Sequence, residues 1–259
     1  MTTMNRHLVQ LNVATLQHPI DDPRSADFAN ALPMVNEAGE RSPGYVWRLQ
    51  SDSGNATDIQ VFDDPLMIVN LTVWESLESL KAFAYRGIHR DFFRRRAEWF
   101  VPGSTRTALW WTPAGSLPTT SDAKRRLDFI DVFGASPYAF AMGQTQPALV
   151  IEPSGPDDGR VEAELDDEPA GFGEYRLLDD TTAEVVRIHV AESARRMRVG
   201  SAIVAELEAL ATANGLSCLL LDTDPAMVAL YENFGFRVRN GSEPGQRNTS
   251  TRVEKMLTT

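Results

Sequence analysis

The sequence predicts an α+β protein built from two domains, and three observations support this prediction. A chain of 259 residues with 42% apolar side chains can bury one large core or two modest ones, because single domains typically run to about 100–200 residues. The first part of the chain alternates strand-like and helix-like segments. A new series of strands and helices begins after Gly143, interrupted by a stretch rich in Gly, Pro and Asp. We therefore expect one domain over residues 1–145 and a second over residues 146–259.

The elements of the first domain follow from residue periodicity and from helix start signals. Apolar side chains alternate over residues 7–13, which indicates a half-buried strand. Asp22 can cap a helix that has Pro23 at its first position and apolar residues recurring over 26–35. Further strands are expected at 45–49, 66–74 and 107–111, with a helical zone from Ser76 that breaks at Gly87 and a last helix over 121–133. The order βαββαβ is that of a ferredoxin-like half barrel.

Four segments of this domain together resemble a known type of protein. They are residues 43–49, 70–74, 85–99 with its His and Arg cluster, and 110–115. In combination they resemble an uncharacterised bacterial domain related to the dimeric α+β barrels of the antibiotic-biosynthesis-monooxygenase type. The resemblance implies a fold and a homodimer formed through this domain, and it implies no particular reaction.

A pocket is a second hypothesis for the same domain. Trp47, Trp74 and His89 are candidates to line a site for an aromatic or anionic small molecule. The alternative is that these side chains belong to the core, where aromatic residues at strand and helix spacing are usually found.

The second domain contains the segment on which a chemical hypothesis can be based. A strand is expected at 147–151, a hairpin over 170–190, and an amphipathic helix over 199–214 that Gly215 ends. The continuous apolar run 216–222 indicates a strand buried on both faces, and residues 225–234 indicate another helix, with Gly235 after it.

Two motifs in this segment resemble the coenzyme A binding half of the GNAT N-acetyltransferases. The loop 195–202 fits the family pattern with Arg195 at its first place and Gly200 near its end, while Arg198 replaces the first glycine. Residues 224–236 fit the second family motif, with Asp224 at the place of an asparagine. Successive backbone N–H groups at a helix N-terminus can hold a pyrophosphate. An arginine in place of glycine makes a left-handed backbone costly there, although it adds a phosphate partner.

The resemblance implies a set of functional residues. Tyr231 matches the tyrosine that protonates the leaving thiolate, although a packing role is the alternative. Glu184 matches a place that some members use for a glutamate base, a surface carboxylate being the alternative, and His189 is a second candidate base by its chemistry alone. The expected acetyl-CoA contacts, among them the Val190 N–H on the thioester carbonyl, come from Ile188, Val190, Arg195, Arg196, Arg198, Val199, Gly200, Ser201 and Asp224.

The lead-in to this domain is unusually short. A complete domain of the family begins with a strand and two helices, and residues 146–169 are too few and too polar for them. We expect the N-terminal domain to cover the sheet face that the missing helices leave, because that face would otherwise expose an apolar patch. The alternatives are that another subunit completes the fold, or that the acceptor site is open and the activity weak or absent.

Composition excludes several other classes of function. A net charge of −11 argues against nonspecific nucleic-acid binding, and no apolar run approaches the length of about 20 residues that spans a bilayer. The lone Cys218 lies in an apolar run and suggests neither a disulfide nor a metal site, so no metal is expected. We expect a cytoplasmic protein.

The leading hypothesis is therefore an N-acetyltransferase that moves an acetyl group from acetyl-CoA to an amine by direct attack. Two alternatives stay open. One is an acyl-CoA binding or regulatory module without turnover, and the other is a small-molecule-binding or monooxygenase-like activity in the N-terminal domain.

Overall fold

The computed structural model describes residues 5–85, 90, 92, 94–155, 158–239 and 250–257, so Gly87 and His89 lie outside the described residues. The chain divides into two compact units, Met1–Gln146 and Pro147–Thr259. The first contains a four-stranded sheet and the second a seven-stranded sheet, each with helices, which confirms the α+β class.

The N-terminal unit follows the predicted order of strands and helices, including the last helix that was expected over 121–133. Its four strands lie in the order β2-β3-β1-β4, and every pairing is antiparallel. The elements are β1 (Arg6–Thr15), α1 (Ala26–Glu40), β2 (Tyr45–Arg48), β3 (Met67–Trp74), α2 (Leu77–Ala84), β4 (Arg106–Pro113) and α3 (Thr120–Phe133).

Side-chain caps fix where these helices begin. Asp22 accepts a hydrogen bond from the N–H of Arg24 and caps a 3-10 turn, Pro23–Ser25, that leads into α1, so the predicted helix start is a tighter turn. The Ser76 hydroxyl accepts from the Ser79 N–H at the start of α2. A capping box of Thr119 and Asp122 starts α3.

The two faces of the four-stranded sheet have different environments. On one face, Val9 and Leu11 of β1 pack with Ala123 and Leu127 of α3 in the core, and Trp47 packs against the same cluster. Successive residues of a strand point to opposite faces, so Asn12 and Ala14 point the other way, toward α1. That second face borders a cavity.

The C-terminal unit is a mixed sheet in the order β10-β11-β9-β8-β7-β6-β5, in which β8 and β9 are parallel and the other pairs antiparallel. Its helix α4 has 15 residues, and the predicted helix over 225–234 is a 3-10 turn, Pro225–Met227, followed by the short α5. The elements are β5 (Leu149–Pro153), β6 (Arg160–Leu165), β7 (Glu168–Leu177), β8 (Thr182–Val190), α4 (Val199–Ala213), β9 (Cys218–Thr223), α5 (Val228–Glu232), β10 (Arg237–Val238) and β11 (Thr251–Met256).

Helix α4 packs directly on the backbone of β7. A Cβ at Gly173 would lie 2.8 Å from Leu207 Cδ1 and would also overlap Ile203, so this close approach requires glycine. Tyr175, two residues further along β7, accepts a hydrogen bond from Asn214 just after α4. The odd-numbered residues of β7 therefore face the helix.

The opposite face of this sheet carries paired charges. Glu174 of β7 forms ion pairs with Arg160 of β6 at 3.1 Å and with Arg187 of β8 at 3.6 Å. Arg252 of β11 pairs with Asp222 of β9 at 2.8 Å. The expectation that a sheet face without the two helices exposes an apolar patch is wrong across these strands, because alternate positions carry Arg, Glu and Asp instead of apolar side chains.

Candidate functional site

Strand β8 separates from β9 halfway along its length. The parallel pairing runs from Thr182 opposite Cys218 to Val185 opposite Leu221 and ends there. On the other side of β8, Val186 is an extra residue between two register pairs, because Glu174 lies opposite Arg187 while Tyr175 lies opposite Val185. Such a bulge bends a strand away from its neighbour. The second half of β8 therefore borders an open cleft.

The backbone of β8 points unpaired donors toward this cleft. The N–H of Ala191 donates to the carbonyl of Ala170, at 2.8 Å. Residues of an antiparallel strand direct their N–H groups alternately toward one neighbour and away from it. The N–H groups of Val190 and Ile188 therefore point away from β7, to the side where β9 has diverged.

The cleft collects most of the residues that the two motifs implied. Its volume is about 570 Å³. Tyr231 and every predicted cofactor residue except Asp224 are among its lining residues, which are Ile188, Val190, Ala194, Arg195, Arg196, Arg198, Val199, Gly200, Ser201, Val204, Met227, Leu230 and Tyr231. The sequence reasoning missed Ala194, Val204, Met227 and Leu230. Met227 and Leu230 precede Tyr231 in the second motif, so their helical spacing was an available signal.

The N-terminus of α4 offers free donors at one end of the cleft. Its N-cap residue Arg198 makes no side-chain capping bond, and the first turn holds no acidic residue. The first hydrogen bond of the helix runs from the Ala202 N–H to the Arg198 carbonyl, which leaves the N–H groups of Val199, Gly200 and Ser201 without an intrahelical acceptor. The positive end of the helix dipole adds to their attraction for an anion.

Three arginines surround this helix end. Arg195, Arg196 and Arg198 are exposed, and none of them has an ion pair with another side chain in the described ranges. Arg196 and Arg198 have backbone φ angles of 65° and 62°. The left-handed conformation is therefore present at Arg198, although this arginine stands where the motif has glycine. This conformation costs a non-glycine residue about 1–2 kcal/mol.

Tyr231 lies at the other side of the cleft. It is 9% exposed, and its ring contacts Phe236 edge to face at 5.9 Å. Burial raises the pKa of the Tyr231 phenol above its ordinary value, and a hydrogen bond with Thr223 opposes that increase. The phenol is therefore protonated at neutral pH and able to donate a proton.

Glu184, the first candidate base, does not line the cleft. Its side chain is buried, and Arg176 donates to its Oε2 at 2.9 Å and 2.6 Å. Arg252 donates to its Oε1. Both oxygens are engaged by guanidinium groups, so the structure gives this carboxylate a role in holding strands together.

The other two predicted residues outside the cleft have separate locations. His189 is exposed on β8, and its ring lies 5.5 Å from that of Phe172 on the sheet face away from α4. Asp224 accepts a hydrogen bond from the Ala226 N–H at 2.8 Å and caps the 3-10 turn that precedes α5. Its contribution to the site is to position the segment that carries Tyr231.

The candidate pocket of the N-terminal unit is present, with a partly different lining. Trp74 lines a cavity on the sheet face toward α1. Trp47 does not line it, because it points to the opposite face and packs in the core. His89 falls outside the described residues.

The part of the chain that the structure describes contains no group of three or more His, Cys, Asp and Glu side chains arranged to hold a metal ion. No described helix has the length and apolar composition needed to cross a bilayer.

Comparison with known proteins assigns a class to the second half of the chain. The model of the acetyltransferase (GNAT) family matches residues 131–236. Over these residues the chain is similar to the GNAT acetyltransferases. The match starts inside the N-terminal unit and covers all the residues that line the cleft.

Solved structures similar to this chain are acetyltransferases. One is Ard1 from Thermoplasma volcanium, with 18% identity over 39% of this chain and 72% of that chain and a TM-score of 0.34. A GNAT family acetyltransferase from Elizabethkingia anophelis with acetyl-CoA bound has 21% identity over 38% and 75%, with a TM-score of 0.33. The ribosomal-protein-S18-alanine N-acetyltransferase from Escherichia coli has 20% identity over 41% and 73%, with a TM-score of 0.33.

The larger family match lies in the first half. The model of the domain of unknown function DUF3291 matches residues 7–153, more than half of the chain, and the chain belongs to that family. No curated protein matches the sequence.

Proposed function

We propose that the C-terminal unit transfers an acetyl group from acetyl-CoA to an amine. The observation that carries this proposal is the conjunction, in one cleft, of an uncapped helix N-terminus, three unpaired arginines, free backbone donors on β8 and a protonated tyrosine. Together these features match three parts of acetyl-CoA, which are the pyrophosphate, the thioester carbonyl and the sulfur.

The pyrophosphate of coenzyme A occupies the N-terminus of α4. The N–H groups of Val199, Gly200 and Ser201 donate to its oxygens, and the arginines of the loop neutralise its charge. An anion here is favoured locally although the chain as a whole carries a net charge of −11.

The thioester lies between β8 and α5. The N–H of Val190 donates to the thioester carbonyl and stabilises the negative charge that develops on this oxygen. A neutral amine attacks the carbonyl carbon, the new C–N bond forms, and the C–S bond breaks. The thiolate takes its proton from the Tyr231 hydroxyl, and the amine gives up a proton to a base or to water.

His189 is the candidate base that the geometry favours. It is exposed near the end of β8, one residue from Val190. Glu184 is the weaker candidate, because its side chain lies outside the cleft and both of its oxygens accept hydrogen bonds from arginines.

Calorimetric titration of the full chain with coenzyme A tests the binding step. Replacement of both Arg195 and Arg198 by Gln is expected to raise Kd about ten-fold or more, since each charge-assisted hydrogen bond to phosphate is worth about 1.5–3 kcal/mol. The matched control is Arg187→Gln, which removes an exposed arginine on the opposite sheet face and is expected to leave Kd unchanged. Equal affinity for the double variant and the wild type would contradict the proposed phosphate site.

Turnover tests the chemical step. Release of free thiol from acetyl-CoA, followed with a panel of primary amines, is expected for the wild type and absent without an amine.

A second candidate function is an acyl-CoA sensor without turnover. A transferase needs a base, and both oxygens of the candidate base Glu184 are engaged by arginines, which favours the sensor. Of the two candidate bases, only the exposed His189 has no ion pair in the described part of the chain. Tight coenzyme A binding with no thiol release from any amine would support the sensor and exclude the transferase.

A further inference from the structure

The N-terminal unit contains a cavity of about 190 Å³ between its sheet and the helices above it. The strands β1 and β3 form its floor, and α1, α2 and the segment before β4 form its walls. Its apolar lining includes Phe28, Leu32, Val35, Ile68, Phe83, Phe92, Trp99 and Phe100.

Aromatic rings give this cavity fixed walls. Phe28 contacts Phe100 edge to face, with ring centroids 5.2 Å apart, and Phe92 stacks on Trp99 at 5.7 Å. Trp74 stacks on Phe83 at 5.2 Å. Packed rings of this kind lose little freedom when a flat ligand enters between them.

Two polar side chains on the floor of the cavity differ in whether their hydrogen-bonding groups have partners. Thr72 is satisfied, because it donates to Gln10 at 2.8 Å and accepts from the indole of Trp74 at 2.9 Å. Asn70 lies opposite Asn12 in the β1–β3 ladder, and its carboxamide makes no hydrogen bond to the described residues.

Arg48 adds a positive charge beside that carboxamide. It lies opposite Thr72 in the β2–β3 ladder, so Asn70 is its diagonal neighbour, at a distance that long side chains span. The Arg48 side chain is only 12% exposed, and its Nε donates to Glu40 at 2.7 Å. Its two terminal nitrogens have no partner in the described ranges.

The charged side chains that line the cavity are arginines, although Glu40, outside the lining, pairs with one of them. Arg48 and Arg96 line it, and no Asp or Glu is among the lining residues that the structure describes, although the chain carries 36 acidic residues. A half-buried guanidinium with free N–H groups favours a planar anion such as a carboxylate, which it binds through two parallel hydrogen bonds.

We infer that this cavity binds a small aromatic monocarboxylate with a single ring. A cavity of about 150 Å³ accepts benzene, so 190 Å³ accommodates one ring and a carboxylate. The ring packs among Phe28, Leu32 and Trp99, and the carboxylate meets the terminal nitrogens of Arg48 and the amide of Asn70. This site is separate from the acetyl-CoA cleft, because every residue that lines it precedes Gly143.

Titration of the full chain with benzoate tests the inference, and benzamide is the neutral analogue of the same shape. Trp74 and Trp99 line the cavity, so their fluorescence reports occupancy alongside calorimetry. We expect benzoate to bind about ten-fold or more tightly than benzamide, because only the carboxylate can form a charge-assisted pair with the guanidinium. No saturable binding of benzoate, or equal affinity for the two compounds, would overturn the inference.

Variants locate the site. Arg48→Gln is expected to weaken benzoate about ten-fold and to leave benzamide unchanged, while Arg48→Lys keeps part of the affinity. The matched control Arg41→Gln removes an exposed arginine that pairs with Glu37 and is expected to bind benzoate like the wild type. Unchanged benzoate affinity in Arg48→Gln would exclude the proposed contact.

Ala31→Leu offers a second route, because it fills the cavity without altering charge. Ala31 lines the cavity and is buried, so the larger side chain is expected to abolish benzoate binding while the thermal midpoint stays close to that of the wild type. Retained binding in a folded Ala31→Leu protein would show that the ligand binds elsewhere. Coenzyme A affinity is expected to be the same in all these variants, so a failure of the acetyltransferase proposal is distinguishable from a failure of this one.

Discussion

Arg198 holds a backbone conformation that its side chain disfavours. Its φ of 62° lies in the left-handed region, and no capping hydrogen bond from its side chain offsets the strain. Strain of this kind is concentrated at functional sites, and under the proposed function it serves to present the guanidinium to the phosphate.

Arg198→Gly is predicted to raise the free energy of unfolding by about 0.5–1 kcal/mol, since glycine adopts positive φ without strain but loses more chain entropy on folding. Urea denaturation followed by circular dichroism measures the change. Arg195→Gly is the matched control, because Arg195 has φ −64° and gains nothing from glycine. If the variant is less stable than the wild type, the arginine side chain stabilises the fold by more than the strain of its left-handed backbone destabilises it.

Tyr231 combines position and protonation state in one side chain. Tyr231→Phe is predicted to lower kcat about 10²–10⁴-fold, the usual contribution of a positioned acid, with coenzyme A affinity within about three-fold of the wild type. Steady-state thiol release and calorimetry measure the two quantities.

The control for that prediction is Tyr175→Phe. This tyrosine accepts a hydrogen bond from Asn214 at 2.8 Å and lies outside the cleft, so the variant is expected to lose some stability and keep its kcat. Undiminished turnover in Tyr231→Phe would assign that side chain to packing.

At the scale of elements, four neighbouring strands are connected by one group of charges. Arg176 of β7 binds Glu184 of β8, Arg252 of β11 binds the same Glu184, and Arg252 also binds Asp222 of β9. These strands are consecutive in the sheet, in the order β11-β9-β8-β7. Since β8 loses its contact with β9 beyond Val185, the charges stabilise the base of the cleft.

Glu184→Gln is predicted to reduce the free energy of unfolding by about 1–2 kcal/mol, because it removes charge-assisted hydrogen bonds to two partly exposed arginines. Turnover is expected to stay within about three-fold of the wild type, as for a residue with a structural role. Denaturation and steady-state kinetics separate the two effects. Loss of turnover with unchanged stability would instead identify Glu184 as the base.

At the scale of the whole molecule, each unit has its own sheet and core, and each contains one candidate site complete in itself. All the described residues that line the cleft beside β8 lie between Ile188 and Tyr231. A homodimer through the N-terminal domain remains a prediction.

A fragment of residues 147–259 is predicted to fold cooperatively and to bind coenzyme A within about three-fold of the full chain, as expected of an independent domain. Side-chain NMR dispersion and calorimetry check both statements, with fragment 1–146 as the control that binds no coenzyme A. A fragment 147–259 without dispersed signals would show that this unit depends on the other for its fold.

The sequence by itself determined the features that depend on neighbouring residues. The caps at Asp22 and Ser76, and the loop that begins at Arg195, can be recognised locally because each involves only residues that are close together in the sequence. It did not predict β6 or β11. Val161 and Ala163 of β6 do alternate with charged residues, but they follow a stretch rich in Gly, Pro and Asp. Strand β11 depends on contacts with residues distant in the sequence, which are its pairing with β9 and β10 and the ion pairs of Arg252.

Only the tertiary structure decided which of the predicted side chains share a site. Glu184 is removed from the cleft by Arg252, which lies 68 residues away in the sequence, and Trp47 is separated from the cavity by the register of β2 against β3. The direction of the Val190 N–H is set by the pairing of β8 with β7. The open space in front of this N–H group depends on the bulge at Val186. Periodicity reports which face of one element is buried, whereas a binding site requires several elements to meet, and that depends on packing between residues distant in the sequence.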